Sequence, residues 1–182
     1  MKAGEMVGDY EIVRPLGEGG MATVFVARDT RHDREVVLKA LPPYLNSPAM
    51  EARFRREIQA IASLSHPNIV KVLDFSVSSV LAYYVMPFVP AVDLEKYAAE
   101  LRGTAMFPPQ TAFARLRSIV CDAASALAHC HQRGVYHRDI KPQNILVEIE
   151  TRRGIMSDFG LARAENLTNL TKSREMLGTL RY

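Results

Sequence analysis

The stretch YHRDIKPQNILV, residues 136–147, decides the fold of this chain. It carries an acid, a cation and an amide at fixed offsets, Asp139, Lys141 and Asn144, around a proline that favours a tight turn. An apolar run, ILV, follows the turn and is typical of a short buried strand. Taken alone, the stretch is also compatible with an ordinary charged loop.

A second acid stands in SDFGLAR, residues 157–163, where Asp158 comes shortly before a glycine that lets the backbone turn sharply. Asp158 follows Asn144 by fourteen residues. An acid and an amide in separate loops can hold magnesium, which leaves the other acid, Asp139, free to accept a proton. The two stretches in this order therefore predict one catalytic loop system rather than two unrelated charged loops.

Near the start of the chain, GEGGMA at residues 17–22 forms a glycine-rich loop. Ala22 stands where a G-x-G-x-x-G pattern has its third glycine, so the pattern alone is a weak signal. The loop runs into the strand-like TVFVARD, residues 23–29, and contains no lysine, which argues against a dinucleotide fingerprint and against a Walker A loop. Two interpretations stay open: a hairpin whose amides lie over phosphates, or an ordinary tight hairpin.

Lys39 lies inside the apolar run VVLKAL, residues 36–41. Burying an ammonium group costs several kcal/mol unless an anion offsets it, so the sequence predicts an acidic partner. Glu57, in the helix that follows, is the candidate. The alternative is a lysine at a strand edge that extends its charge into solvent.

Apolar and β-branched runs in the first half predict consecutive antiparallel strands, interrupted by one helix that begins near Ser47 and Pro48. That helix places Phe54, Ile58 and Ile61 on one face. The predicted strands cover residues 10–16, 23–29, 34–41, 69–77 and 80–89.

The second half begins with a long predicted helix over residues 109–134. Short apolar strands, ILVEI and GIMSDF, follow it. The helix carries one apolar stripe, made of Leu116, Ile119, Val120, Ala123 and Leu127.

Composition narrows the class of protein. The 182 residues are 48% hydrophobic, which is enough for a substantial core, and the net charge of +3 is too small to indicate nucleic-acid binding. The sequence shows neither an apolar run of about 18 residues nor a signal peptide. Cys121 and Cys130 match no redox or zinc spacing and are interpreted as reduced residues of a cytosolic protein.

Together, these motifs resemble a eukaryotic-type protein kinase domain, most similar to the bacterial serine/threonine kinases. The resemblance covers the whole chain and implies an α+β, bilobal fold. It implies a five-stranded antiparallel N-lobe with one main helix over residues 1–86, a hinge over 87–93, and an incomplete, mainly helical C-lobe over 94–182.

The resemblance also implies roles for the catalytic groups, with ATP and Mg2+ as cofactors. Asp139 is expected to be the catalytic base, and Lys141 to steady the transferred phosphoryl group. Asn144 and Asp158 are expected to bind Mg2+.

Further residues are expected to hold ATP. Gly17 and Gly19 would cover its phosphates, Lys39 would hold the α and β phosphates, and Glu57 would orient Lys39. The other expected contacts, from the adenine pocket to the ribose, are Leu16, Val24, Val37, Met86, Pro87, Val89, Asp93 and Leu146.

Two positions depart from the family pattern. Val37 replaces the alanine of V-A-I-K and adds two methyl groups where adenine would pack, which can cost about 1–3 kcal/mol. Ala22 adds a methyl group near the phosphates. Neither change removes a catalytic group, so we expect weaker or slower nucleotide binding at most.

The last residues, GTLRY at 178–182, correspond to part of an activation segment that continues in the family into an A-P-E motif and further helices. We therefore expect the catalytic domain to be truncated here and poorly active by itself. A cytoplasmic location is expected, with any membrane anchor in a missing region. The segment offers three hydroxyls for autophosphorylation, which could pair with Arg138 or be plain loop residues: Thr168, Thr171 and Ser173.

The expected activity is that of a non-specific serine/threonine protein kinase acting on protein substrates. Lys141 and Gly178-Thr179 favour this class over tyrosine kinases. Two alternatives stay open: an ATP-binding pseudokinase or scaffold module, and a small-molecule phosphotransferase.

Overall fold

The protein is described by a computed structural model that covers residues 1–19, 22–41, 48–78, 81–103 and 109–160. Several expectations lie outside these ranges. They concern the tip of the glycine-rich loop, the helix start at Ser47, and the activation segment with Thr168, Thr171 and Ser173.

The first half of the chain forms a six-stranded antiparallel sheet with the order β1-β2-β3-β4-β6-β5. The predicted α+β class is confirmed, but the sheet has six strands rather than five. The additional strand has only two residues, too few to show an alternating pattern in the sequence. The strands are β1 Met6–Val7, β2 Tyr10–Gly19, β3 Ala22–Asp29, β4 Arg34–Leu41, β5 Asp74–Val77 and β6 Ala82–Pro87.

Helix α1, Pro48–Ala62, follows β4 in the chain. The predicted apolar face is present, because Phe54, Ile58 and Ile61 are buried. These side chains belong to a core that extends into the second half of the molecule.

In its described residues, the second half contains two helices, a single turn of 3-10 helix and a smaller sheet with the order β7-β8-β9. Helix α3 packs against β9, and α2 lies next to the 3-10 turn. The elements are β7 Ala91–Asp93, α2 Leu94–Gly103, α3 Pro109–His131, the 3-10 turn Pro142–Asn144, β8 Ile145–Glu148 and β9 Gly154–Met156.

Two of these elements, β7 and α2, were not predicted from the sequence. The predicted strand over residues 69–77 is shorter than expected and begins at Asp74. Its first part instead reaches the smaller sheet, where Ile69 forms a parallel bridge with Met156. The connection between α1 and β5 therefore joins the two sheets.

The apolar stripe predicted on α3 is divided in the structure. Ile119 and Ala123 are buried in the core, whereas Val120 is 57% exposed and lies on the same side of the helix as Phe113, which is 69% exposed. Part of the predicted stripe is therefore left at the surface, because α3 covers β9 with only one of its sides.

The turn after β3 contains a buried carboxylate, Asp29, which is 1% exposed. His32 Nδ1 lies 2.8 Å and Arg34 Nε 3.3 Å from its Oδ2 atom, and the Arg31 N–H donates to its Oδ1 atom at 3.1 Å. Burial alone would raise the pKa of Asp29, but the contacts with His32 and the Arg31 N–H outweigh it and lower the pKa. The ionised carboxylate therefore stabilises the fold.

We expect Asp29→Asn to lower the free energy of unfolding by about 1–3 kcal/mol at pH 7. A depressed pKa contributes stability above the unfolded-state pKa of about 3.9, and this contribution is lost as pH falls through the folded-state value. Urea unfolding of the full-length protein at neutral and acidic pH checks both statements. Asp33→Asn is the control, because the Asp33 side chain is 75% exposed. Equal losses in the two variants would contradict the role of Asp29.

Candidate active site

The loop after α3 brings the predicted acid, cation and amide together. Pro142 starts the 3-10 turn, which directs Asn144 back toward Asp139. Asn144 Nδ2 donates to the Asp139 backbone oxygen at 2.7 Å and to Asp139 Oδ2 at 3.0 Å. Lys141 Nζ lies 2.9 Å from the same carboxylate oxygen. The Asp139 carboxylate is thus held by one cation and one amide in a charge-assisted cluster.

His137 ties this loop to the chain segment that carries Asp158. It is 1% exposed, its Nε2 atom lies 2.8 Å from the Ser157 carbonyl oxygen, and its ring lies against Phe159 with centroids 4.7 Å apart. Burial lowers the pKa of His137, so its ring is neutral at pH 7. Sequence analysis did not identify this residue, although it directly precedes the Arg138-Asp139 pair.

Two residues near the site have backbone conformations that L-amino acids rarely adopt. Arg138 has a φ of 63° and Asp158 a φ of 55°. Such conformations persist only where surrounding contacts fix them, and they concentrate at functional sites. Arg138 directly follows the buried His137, and Asp158 lies between Ser157 and Phe159, the two residues that His137 contacts.

Lys39 faces Asp158 across the two sheets. Its Nζ atom lies 2.6 Å from Asp158 Oδ1, and the two side chains are 16% and 38% exposed. The ring of Tyr84 lies beneath the ammonium, with Nζ 6.0 Å from its centroid. The lysine is therefore partly buried with an anionic partner, and the alternative of a lysine extended into solvent does not apply.

The predicted ion pair between Lys39 and Glu57 is absent in this structure. Glu57 Oε1 instead contacts Arg53 Nε and Arg138 Nη1, each at 3.3 Å. The sequence showed that the lysine needs an anion, but two acids far apart in the chain compete for it. The fold places Asp158 closer, and two arginines surround Glu57.

A cavity of about 460 Å³ opens beside Asp158. Its walls are mainly apolar, and its size is in the range of small-molecule sites. Eight of its residues were predicted: Leu16, Val24, Val37, Met86, Pro87, Val89, Leu146 and Asp158. Phe88 also lines it and lies in the segment over residues 86–89 that was expected to meet the adenine. Six more lining residues were not predicted: Val70, Pro90, Ala91, Gln143, Ile149 and Ser157.

Asp93 was predicted to meet a ribose, but it is not among the described residues that line this cavity. It caps α2, because its Oδ1 atom accepts from the Lys96 N–H at 2.9 Å and its Oδ2 atom lies 3.1 Å from Lys96 Nζ. Burial would raise the pKa of Asp93, but these contacts outweigh it and lower the pKa. Gln143 lines the cavity instead and donates to Glu95 at 2.6 Å.

The described ends of the glycine-rich loop belong to the β2–β3 hairpin. Gly17 pairs with Val24 and Gly19 with Ala22 in its ladder, and the register shifts between Pro15 and Gly17. A Cβ atom built on Gly17 meets nothing within 4 Å, so this glycine is not required by packing. Open space above the backbone is what a hairpin over a ligand needs.

Asp158 and Asn144 are the residues that could hold a metal. They offer a carboxylate and an amide oxygen, which are ligand types that Mg2+ accepts. Within the described ranges, no three His, Cys, Asp or Glu side chains form a metal-binding group by themselves. Mg2+ at phosphate sites usually has only one or two protein ligands and completes its shell with water and phosphate oxygens, so this pair fits it.

The molecule has the architecture of a kinase fold. It combines a six-stranded sheet with α1, a smaller sheet with its helices, and a cavity beside Lys39 and Asp158. The chain belongs to the protein kinase family, since the family model described as "Protein kinase domain" matches residues 10–182. Among the described residues, no helix combines the length and apolar character that crossing a bilayer requires.

Similar proteins include the serine/threonine-protein kinase PrkC of Bacillus subtilis (strain 168), 39% identical over 176 residues, with 96% of this chain and 26% of PrkC covered. PknB of Mycobacterium leprae (strain TN) is 39% identical over 179 residues, with 95% of this chain and 28% of PknB covered. This chain therefore spans about a quarter of the length of these relatives.

Solved structures show the same likeness. The Mycobacterium tuberculosis PknI kinase domain is 31% identical, with a TM-score of 0.73 and coverage of 89% of this chain and 64% of that chain. The apo form of PpkA-294 is 27% identical, with a TM-score of 0.74 and coverage of 94% and 66%.

We expect His137 to make stability depend on pH. Because burial depresses its pKa, the neutral ring contributes stability that is full above the unfolded-state pKa of about 6.5 and is lost as pH falls toward the folded-state value. His137→Phe keeps the ring contact with Phe159 but leaves the Ser157 carbonyl without this partner, so it costs about 1–3 kcal/mol at pH 7. The cost shrinks as pH falls from 7 to about 5.

Chemical unfolding of the full-length protein over this pH range measures the effect. His131→Phe is the control, because His131 is exposed. A cost that does not change with pH in His137→Phe would contradict the assignment.

Proposed function

We propose that the protein is a serine/threonine protein kinase that transfers the γ-phosphate of ATP to hydroxyl groups of protein substrates. The observation that carries the proposal is the convergence of Asp139, Lys141 and Asn144 in one loop, together with the pairing of Lys39 with Asp158, which lines the cavity. These are the groups that phosphoryl transfer needs: a base, cations and metal ligands.

The cavity suits a nucleotide base. In the proposed complex, Val24 and Leu146 lie on the two faces of the adenine, and backbone groups of Pro87 and Val89 meet its edge. The β2–β3 hairpin covers the phosphates through Gly17 and Gly19. Around the adenine, backbone and apolar groups bind the base and exclude water. The charged groups act at the phosphate end of the nucleotide.

The reaction combines the transfer of a proton with the transfer of the phosphoryl group. Asp139 accepts the proton of the substrate hydroxyl while the hydroxyl oxygen forms a bond to the γ-phosphorus. The bond from that phosphorus to the β–γ bridging oxygen breaks, and ADP leaves. Lys141 neutralises charge on the transferred group. When bound, Mg2+ would be held by Asn144 and Asp158 and would offset phosphate charge.

ATP binding requires the ion pairs of this structure to exchange. Lys39 would leave Asp158 for the α and β phosphates, and Asp158 would turn to the metal. Glu57 would then leave Arg138 and orient Lys39. The exchange leaves no buried charge without a partner, which is the condition for a low cost.

We assign residues 1–86 to the ATP-binding lobe, 87–93 to the hinge and 94–182 to part of the second lobe. Because the kinase uses ATP, we place it in the cytoplasm. Autophosphorylation is proposed for Thr168, Thr171 or Ser173, where a phosphate could pair with Arg138.

The two other functions have less support. A scaffold that only binds ATP has no need for Asp139, Lys141 and Asn144 in one cluster. A small-molecule phosphotransferase is disfavoured by Lys141 and by the GTLRY ending. Both make different predictions in the experiment that follows.

Asp139→Asn is expected to lower turnover by at least about 100-fold, because it removes the base, while ATP affinity is retained. Full-length protein is incubated with radiolabelled ATP, Mg2+ and a generic protein substrate, and the labelled amino acids are identified. Asp33→Asn is the control and should keep full activity.

Near wild-type turnover in Asp139→Asn would overturn the kinase assignment. Bound ATP without any transfer would favour the scaffold, and transfer to small molecules alone would favour the phosphotransferase. Label on tyrosine only would remove the serine/threonine assignment.

Val37→Ala is expected to lower the KM for ATP by about 5-fold, because it removes two methyl groups from the cavity wall. Val36→Ala is a matched control: Val36 is the preceding residue on β4, is buried in a separate cluster with Phe25 and Leu38, and does not line the cavity. The control should lose stability without a change in KM. An unchanged or higher KM in Val37→Ala would show that Val37 does not restrict nucleotide binding.

A further inference from the structure

We infer that Asp122 of α3 and Asn68 of the α1–β5 connection are positioning residues that hold the peptide groups of Gly154 and thereby fix Asp158. The inference rests on the proposed phosphoryl transfer for its consequences and on observed contacts for its geometry. Neither residue lines the cavity, and neither was predicted from the sequence as a site residue.

Gly154, the first residue of β9, is held on both of its polar groups. Its N–H donates to Asp122 Oδ2 at 2.8 Å, and its carbonyl oxygen accepts from Asn68 Nδ2 at 2.8 Å. Asn68 is only 7% exposed. One peptide position thus connects α3, the α1–β5 connection and the smaller sheet.

Steric contact fixes the distance between β9 and α3. A Cβ atom on Gly154 would lie 2.9 Å from Ile119 Cγ2, 3.0 Å from the Ile119 backbone oxygen and 3.2 Å from Asp122 Cβ. The first separation is shorter than real Cβ contacts and the other two are tight, so a side chain at this position would require α3 to shift away from β9. Glycine is therefore required here by close approach, and the Asp122 carboxylate can reach the Gly154 N–H only because of it.

The residues between Gly154 and Asp158 transmit this position. The Met156 N–H donates to the Asn68 carbonyl at 2.8 Å, and the Ser157 N–H donates to the Asn144 carbonyl at 2.9 Å. Hydrogen bonds therefore constrain the backbone up to Asp158, which then turns with positive φ. A shift at Gly154 moves the carboxylate, and misplacing a reacting group by about 1 Å can cost on the order of 100-fold in rate.

The chemistry of each contact selects the test variants. Asp122→Asn keeps an acceptor oxygen for the Gly154 N–H, whereas Asp122→Ala removes it. Asn68→Asp keeps the size of the side chain but places a carboxylate oxygen against the Gly154 carbonyl oxygen. This replaces a hydrogen bond by repulsion. Ser125→Ala is the matched control, since Ser125 lies on α3 and contacts His66 of the same connection at 3.3 Å.

The experiment measures turnover of the full-length protein against Mg2+ concentration at saturating ATP, together with thermal unfolding. We expect Asp122→Ala and Asn68→Asp to raise the Mg2+ concentration for half-maximal rate by about tenfold and to lower kcat. Asp122→Asn should return both values to within about twofold of wild type, and Ser125→Ala should leave them unchanged.

A fall in thermal stability with an unchanged Mg2+ dependence would overturn the positioning role, because a purely structural contact affects only the folded fraction. If Asp122→Ala does not fold, Asn68→Asp keeps the side-chain size and decides the matter by comparison with Ser125→Ala. Equal effects in Asp122→Asn and Asp122→Ala would also contradict it.

Amide hydrogen exchange separates this inference from the proposed function. We expect the segment over residues 154–158 to exchange faster in Asp122→Ala than in Asp122→Asn or Ser125→Ala, whether or not the protein transfers phosphate. If the wild-type protein transfers no phosphate but the segment exchanges faster in Asp122→Ala, the kinase proposal is refuted and the positioning of Gly154 by Asp122 and Asn68 stands. If the wild-type protein is active and exchange is unchanged in Asp122→Ala, only the positioning role of Asp122 and Asn68 is refuted.

Discussion

The partly buried ammonium group of Lys39 is the constraint on which the site depends. It lies within the six-stranded sheet at 16% exposure, so the folded protein must supply an anion. Asp158, 119 residues further along the chain, supplies it at 2.6 Å. Removing one partner of a fully buried pair costs about 3–5 kcal/mol, and less here because Asp158 is 38% exposed. This contact joins the two sheets at the cavity.

The other charges of the site follow from this choice of partner. With Asp158 at Lys39, the carboxylate of Glu57 is available to Arg53 and Arg138, and α1 is thereby linked to the catalytic loop. A phosphate group would be a stronger anion for Lys39 than a single carboxylate. Nucleotide binding and the rearrangement of these ion pairs are therefore coupled, because a bound phosphate would replace Asp158 as the partner of Lys39.

Local sequence predicted the parts of the site that are local in space. Asp139, Lys141 and Asn144 lie within six residues, so one turn after Pro142 brings them together. The longer strands and the helices α1 and α3 were predicted for the same reason, whereas the ten-residue α2 was not predicted. Shorter elements, such as β1 and β7, have too few residues for a pattern. The predicted ribose contact of Asp93 competes in the structure with its role as the cap of α2.

The sequence by itself determined which chemical groups the protein has, their order along the chain and the elements that carry them, because propensity, turn residues and apolar spacing are local properties. Only the tertiary structure decided which acid meets Lys39, which residues line the cavity and why Gly154 has no side chain. These outcomes depend on distances between segments far apart in the chain. Such distances are set when two sheets and α3 pack against one core, and local sequence does not encode them.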